Sequence, residues 1–453
     1  MSIGKQSLQI HRADARQVYL LDQYTNPDCL DDLRQNWVVT NATRVRPRVD
    51  LRRLSRAMDK LSARHDCLRL RLQNIRGKWM AVIDPNARTE IREIDLGDLD
   101  DESFQSQIKA IANAPMQLVD SPLAEMIVVH CGERGDVIVT RVHHAITDGY
   151  GMVVLTEDLL KYLIGLPILS RAVSHAEFVQ HYENPLPSRA RKIEAFWKDM
   201  VRSFPKAPNI GRKAKGLEPL WRVVGKVEPA KLQIKITPES AARQVAIAEQ
   251  MNIGVPTLFC TGFLEALCQC YDQDRLIFVS PISRTNPALA TYMGDCTLDV
   301  IFPYQAAGKG GVKAGALELH KTMMLAIDHL PSDAARRGSA WEDQMISAGC
   351  YPNQFCAYQP RAVARQNQSL FSKGFSREIG VEERVGPYWI STVDVSMHHR
   401  SLAELQFNIG PDNGAGGFIL YYDSIAYTAQ EIAQLADKIC DLLDLETTGT
   451  SAS

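Results

Sequence analysis

His143 and His144, followed by Ala145, Ile146, Thr147, Asp148 and Gly149, spell HHxxxDG. An imidazole titrates near neutral pH, so one ring can take up a proton or hold a reacting group by a hydrogen bond. A carboxylate packed inside needs a cation or hydrogen-bond donors, which makes Asp148 a bracing group. A bare pair of histidines at a strand end is ordinary. The added Asp and Gly at fixed offsets single this one out. Met397-His398-His399-Arg400 carries a second pair without them, and His398 and His399 are read as structural or cavity-lining.

The elements around the heptapeptide decide where its side chains go. The β-branched run Asp136–Val142 predicts a strand, whose two-residue period sends His143 and His144 to opposite faces. Beyond Gly149, Met152, Leu155, Leu159 and Leu163 recur at helical spacing until Gly165 and Pro167 stop the pattern. The motif therefore sits on a strand-turn-helix hinge, with one histidine directed into a cavity and the other packed in support. Upstream, Asp14–Gln23 suits a helix, and Asp50 caps a second one with Leu51, Leu54, Met58 and Leu61 on one face. Downstream, the pattern predicts a short helix at Phe196-Trp197 and a strand at Leu232–Ile236. Thr237 and Pro238 start a helix, Pro256–Tyr271 is a buried one, and Leu276–Val279 is a strand. Phe418–Tyr422 is a strand, and the capping box Thr428–Glu431 opens the last helix.

At 453 residues the chain exceeds one core, so two domains of roughly 170 and 270 residues are expected. Loosened patterning between Pro167 and Pro187 places the boundary, giving lobes 1–175 and 176–446 and a frayed tail 447–453. A net charge of -2 predicts no nucleic-acid partner. Ten scattered cysteines without a CxxC read as reduced thiols; with no secretory leader pattern, a cytoplasmic protein is expected. No apolar stretch reaches the ~20 residues of a membrane helix, so no membrane association is expected.

Other chemistries lack their patterns. There is no GxSxG for a serine hydrolase and no HExxH, and the eleven histidines form no ligand set, so no metal is expected. Gly308-Lys309-Gly310-Gly311 lacks phosphate-loop spacing and reads as a flexible loop, and Gly414–Gly417 precedes a strand instead of opening a helix.

The heptapeptide resembles the signature of the chloramphenicol-acetyltransferase-like acyltransferases, and further motifs point to the condensation domains of nonribosomal peptide synthetases within them. Ala13–Gln23 is similar to a degraded first motif, and Arg64-His65-Asp66-Cys67-Leu68-Arg69 to the second, commonly RHExLR. His175–Tyr182 is similar to the fourth, and Phe196-Trp197 to an aromatic pair of the family. Pro281-Ile282-Ser283-Arg284 resembles its second-lobe arginine segment. Met293–Pro303 covers the fifth motif poorly, and the DFGWG element of plant-type alcohol acyltransferases is absent.

The resemblance implies a mixed α/β (α+β) fold of two chloramphenicol-acetyltransferase-like lobes in a V shape, each a sheet packed with helices, with an active-site tunnel between them. It implies a free-standing, monomeric condensation enzyme. An acyl or aminoacyl thioester on a carrier protein's phosphopantetheine arm would meet an amine or alcohol acceptor, with no cofactor bound by the chain itself. His144 is carried over as the catalytic histidine, either as general base or as the group that holds the nucleophile; burial alone would lower its pKa. His143 is carried over as buried support. Asp148 is assigned a salt bridge to an arginine, Arg284 first and Arg64 second. The sequence leaves open whether one of the two is only a solvated charge at a helix end. Gly149 is assigned to the turn and to close approach of the substrate arm, a plain turn glycine being equally compatible. Two alternatives stay open: an acyltransferase using free CoA thioesters, and a noncatalytic module that docks carriers.

Overall fold

The computed structural model describes residues 7–26, 37–182, 187–203, 229–283, 287–329, 354–358, 380, 382–395, 404–409 and 417–452. Arg284, His398 and His399 lie outside the described residues.

In chain order the first elements are β1 (Gln9–Arg12), α1 (Ala15–Thr25), β2 (Val38–Arg46), α2 (Leu51–Arg64), β3 (Leu70–Ile75), β4 (Lys78–Ile83) and β5 (Ile91–Asp95). Then come α3 (Asp101–Ala112), β6 (Ala124–His130), β7 (Asp136–His143), α4 (Gly149–Ile164) and α5 (His175–Tyr182). They are followed by α6 (Pro187–Arg202), β8 (Pro229–Ile236), α7 (Pro238–Gln250), α8 (Val255–Cys270), β9 (Arg275–Ser283), β10 (Thr297–Gln305), α9 (Gly311–Asp328) and β11 (Gln354–Tyr358). The last are β12 (Glu383–Val385), β13 (Tyr388–Thr392), β14 (Leu405–Ile409), β15 (Phe418–Asp423), α10 (Ala429–Leu443) and β16 (Thr447–Ala452).

The chain divides into two compact units. The first comprises residues 1–184, 285–296 and 362–397, and the second 185–284, 297–361 and 398–453. The expected cut at 175/176 is therefore displaced past α5, and the first unit also takes two later stretches. The reason is tertiary: Phe178 of α5 stacks on Tyr292, ring centroids 4.5 Å apart, inside the first unit's core.

In the first unit a six-stranded sheet runs β12-β13-β2-β7-β6-β5, beside a small sheet β1-β4-β3. The alternation read in the sequence fits β7, which pairs antiparallel with β2 so that Val38 faces His143. The predicted cap is in place, with Asp50 accepting from the amides of Arg52 and Arg53. That frees α2 to bury Leu54, Met58 and Leu61, each contributing about 1.5–3 kcal/mol.

The second unit carries a seven-stranded sheet β10-β9-β11-β14-β15-β8-β16. Helix α8 is apolar on nearly all sides because it is buried on nearly all sides. Both predicted caps form, Thr237 accepting from the Ser240 amide and Thr428 closing a capping box with Glu431. Residues 447–452 correct the expected frayed tail: their backbone pairs with β8 as β16, which does not depend on apolar side chains. Gly308–Gly310, expected as a flexible loop, is a single helical turn leading into α9. Among the described residues no single helix is long and apolar enough to cross a membrane.

Candidate functional site

The end of β7 places the histidine pair, and it does so with backbone bonds on both sides. The His143 amide donates to the Leu123 carbonyl at 2.8 Å and the His144 amide to the Trp37 carbonyl at 2.7 Å. His143 turns inward and is 1% exposed. Its Nδ1 accepts from the Ala145 amide at 3.0 Å, so this nitrogen carries no proton and the turn is fixed by a neutral ring. Burial, and then the neighbouring His144 charge, hold its pKa down to about 3.

His144 points the other way and keeps 23% of its side chain exposed. Its Nδ1 lies 3.0 Å from Oδ2 of Asp295, a carboxylate 2% exposed. Arg16 Nε donates to the same oxygen at 3.3 Å. The Arg16 guanidinium lies 5.1 Å from the Trp37 ring and 5.3 Å from that of Tyr19, and Trp37 meets the His144 ring edge-on at 5.7 Å. Burial works against charge on His144, but the charge and hydrogen bond of Asp295 outweigh it. Arg16 opposes and Asp148 adds, and the imidazole titrates above its ordinary value. This reverses the lowering expected from burial alone.

Helix α1 holds Arg16 in register. Asp14 and Gln17 form a capping box, and Gln17 Nε2 also donates to the Ala145 carbonyl at 3.1 Å, tying α1 to the turn after the histidines.

Asp148 caps α4, Oδ1 accepting from the Gly151 amide at 2.7 Å, while Oδ2 accepts from the Cys296 amide at 2.9 Å. The residue next to Asp295 is thereby clamped to the motif. Thr147 Oγ1 donates to the Met293 carbonyl at 3.1 Å and the Tyr150 hydroxyl to that of Ala290 at 2.8 Å, completing the clamp on residues 290–296. The glycine that this closeness demands is Gly151, where an added Cβ would stand 1.9 Å from the Met293 oxygen. At Gly149 a Cβ would meet open space, and the residue is exposed. Close protein packing thus falls at Gly151, two residues after Gly149.

Arg64 is engaged elsewhere. Its Nε donates to Asp158 at 2.7 Å, and His65 Nε2 reaches the same carboxylate oxygen at 2.8 Å. Arg64 is the partner of Asp158 on α4, not of Asp148, because α2 packs beside α4 and presents it to a position well along that helix from the turn. Asp66 takes the His175 amide at 2.9 Å, and His175 Nδ1 meets the Tyr292 hydroxyl at 2.9 Å, which links the second and fourth motifs to the clamped segment.

Asp295 and Arg16 are the residues that sequence reasoning passed over. Asp295 lies 151 positions from His144, within the poorly matching fifth motif, and no local pattern connects them. Arg16 lies inside the degraded first motif, Ala13–Gln23, but nothing local marks it out from its neighbours. A separate cavity, about 700 Å³ with the space open to solvent included, lies further along the sheet between β2, β7, β13 and α4; Thr43, Ile138, Thr140, Leu163 and Ile390 line it, and His144 is not part of it.

The family described as Condensation domain matches residues 28–295. Bacitracin synthase 2 of Bacillus licheniformis is 22% identical over 271 residues, covering 60% of this chain and 10% of that protein. The chain spans a tenth or less of the curated relatives it matches. SgcC5 of Streptomyces globisporus, solved with a naphthyl-ethanediol and sucrose, aligns with a TM-score of 0.69 at 16% identity over 96% of this chain and 98% of that one. The starter condensation domain of rhizomide synthetase, solved with C8-CoA, aligns with a TM-score of 0.73 at 12% identity over 97% and 96%. The fold is shared throughout.

Proposed function

Because the chain belongs to the condensation-domain family, we propose that it is an acyltransferase, joining a thioester-bound acyl or aminoacyl group to an amine or alcohol acceptor in nonribosomal peptide or related biosynthesis. The donor arrives on the phosphopantetheine arm of a carrier protein, and His144 is the catalytic residue. The observation that carries this reading is the ring itself. Nδ1 is committed to Asp295, while Nε2 has no protein partner among the described residues and belongs to a ring that is 23% exposed.

In this reading Nε2 takes the nucleophile's proton as it attacks the thioester carbonyl, then returns it to the departing thiolate. His143 supports the turn as a neutral ring. Asp148 holds the start of α4 to the segment that carries Asp295, and Arg284 is proposed as a further brace on it. Gly149, open on its Cβ side, leaves room for the arm. The C8-CoA complex of the rhizomide domain supports a second donor, a free CoA thioester, and the diol bound to SgcC5 supports keeping alcohols among the acceptors.

Intact-mass detection of transfer from acyl-loaded carriers, beside the matching acyl-CoAs, tests the proposal. The expected result is transfer by the wild type that falls by about 10²–10⁴-fold in His144→Ala. Undiminished transfer in that variant would remove His144 from the chemistry. Better turnover from CoA would move the donor to the second class.

A further inference from the structure

The carboxylate on His144 is a costly fixture. Asp295 is 2% exposed and Arg16 5% exposed, and holding two such ions out of water opposes folding by several kcal/mol before their attraction is counted. What the arrangement accomplishes is specific. Asp295 accepts from Nδ1 and so keeps the ring's proton there, which leaves Nε2 as the basic nitrogen of a ring that stays 23% exposed. When Nε2 gains a proton the ring becomes imidazolium with a carboxylate already in contact at 3.0 Å, so no reorganisation is needed at the moment of transfer. Arg16, pinned between Trp37 and Tyr19 and facing the same oxygen, fixes the carboxylate's position. Among the described residues, the other charged or titratable groups acting on the ring are Asp148, whose carboxylate caps α4, and the neutral His143.

The two acceptor classes differ in how much they need such a base. A free amine attacks with its lone pair, and its N–H becomes strongly acidic only after the C–N bond has formed. A hydroxyl is a poor nucleophile until its proton leaves, so removal must accompany C–O bond formation. A preorganised carboxylate-imidazole pair is matched to the second case, in the way the same pairing activates a serine hydroxyl.

We infer that the acceptor is a hydroxyl compound and the bond formed an ester, with Asp295 the positioning residue that makes His144 a general base. The inference rests on the acyl-transfer reading above. In the step, the acceptor oxygen bonds to the thioester carbonyl carbon as its proton passes to Nε2. The tetrahedral adduct then collapses, the C–S bond breaks with its electron pair on sulfur, and the imidazolium returns the proton to give the free thiol and the ester.

The test uses the full chain with carriers loaded with acetyl, octanoyl, glycyl and phenylalanyl groups, and matched acceptors such as phenethyl alcohol and phenethylamine. It is run from acid to alkaline pH on wild type, Asp295→Asn, and Asp295→Asn combined with Arg16→Gln, which also removes the guanidinium that faces the same oxygen. Ester formation should exceed amide formation in the wild type, a comparison that needs no variant to fold. In Asp295→Asn, kcat for ester should fall by about 10²–10⁴-fold with KM little changed, and amide formation by less than roughly tenfold. The rising limb of the pH profile should move to lower pH as the ring loses its carboxylate. Amide formed in preference to ester would overturn the hydroxyl assignment and leave acyl transfer standing. Equal losses for both acceptors with an unmoved profile would make Asp295 merely structural. No transfer to any acceptor by wild type would overturn the acyl-transfer reading and this inference with it.

Discussion

Replacing Gly151 by alanine puts a methyl carbon 1.9 Å from the Met293 carbonyl oxygen and 2.6 Å from Thr147 Oγ1, where ordinary contact begins at 3.4 Å. The obstacle is backbone, so it cannot rotate away, and the start of α4 and the 290–296 segment must separate by about 1.5 Å. Overpacking of this kind costs about 1–3 kcal/mol. The separation also strains the 2.9 Å bond from the Cys296 amide to Asp148, of a charge-assisted type worth about 1.5–3 kcal/mol. A destabilisation near 3 kcal/mol follows. Asp295 is carried on the displaced segment, and a shift of about 1 Å at a reacting centre is enough for roughly 10²-fold in rate. Gly149→Ala, two residues earlier, meets nothing within 4 Å and should leave stability unchanged or raise it by up to about 1 kcal/mol. Urea midpoints for both variants, with transfer rates at a temperature where each is folded, make the comparison. If Gly151→Ala proves as stable as Gly149→Ala, the clamp between the motif and residues 290–296 is not what holds Asp295 in place.

Acid should unfold the protein early. His143, held to about 3, and His175, held to about 4 by burial against the raising effect of Asp66, stay neutral in the fold, while their unfolded counterparts take protons below about 6.5. Their stability is complete above that value and is lost as pH falls: between pH 7 and 5 about 2 kcal/mol each, offset in part by His144, whose raised pKa has the opposite sign. A urea midpoint flat across that range would refute the two neutral assignments. Asp158→Ala should cost about 3–5 kcal/mol by leaving Arg64 without its buried partner, whereas Asp158→Asn should recover part of it. Equal losses in calorimetry for the two would point to packing and not to charge.

The histidine pair, the caps at Asp50, Thr237 and Thr428, and the all-apolar α8 were legible because each is written in a local period or offset. That His143 and His144 point to opposite faces follows from strand alternation, whereas the assignment of the catalytic role to His144 was implied only by the resemblance. Asp295 was not legible, since its contact with His144 is made by tertiary placement, and Gly151 could not be told from Gly149 without knowing that Met293 stands against it. Residues 447–452 look like a tail by composition, yet strand pairing is a backbone property that Thr, Gly and Ser satisfy as well as Val does.

Strand β13 lies between β12 and β2 in the first unit's sheet, although more than 340 residues separate it in sequence from β2. During synthesis, at roughly 5–20 residues per second, β2 and β7 wait some tens of seconds before the neighbour that covers the edge of β2 is made. The nascent first unit therefore spends that interval with an open strand edge, and the earlier part of it without the segment that supplies Asp295, a state prone to pairing with another chain. A gene fragment ending near residue 184 would make that state permanent. Exchange of this lobe between related proteins has to carry residues 1–184 and 285–296 together if the histidine is to keep its carboxylate, and 362–397 as well if the edge of β2 is to stay covered.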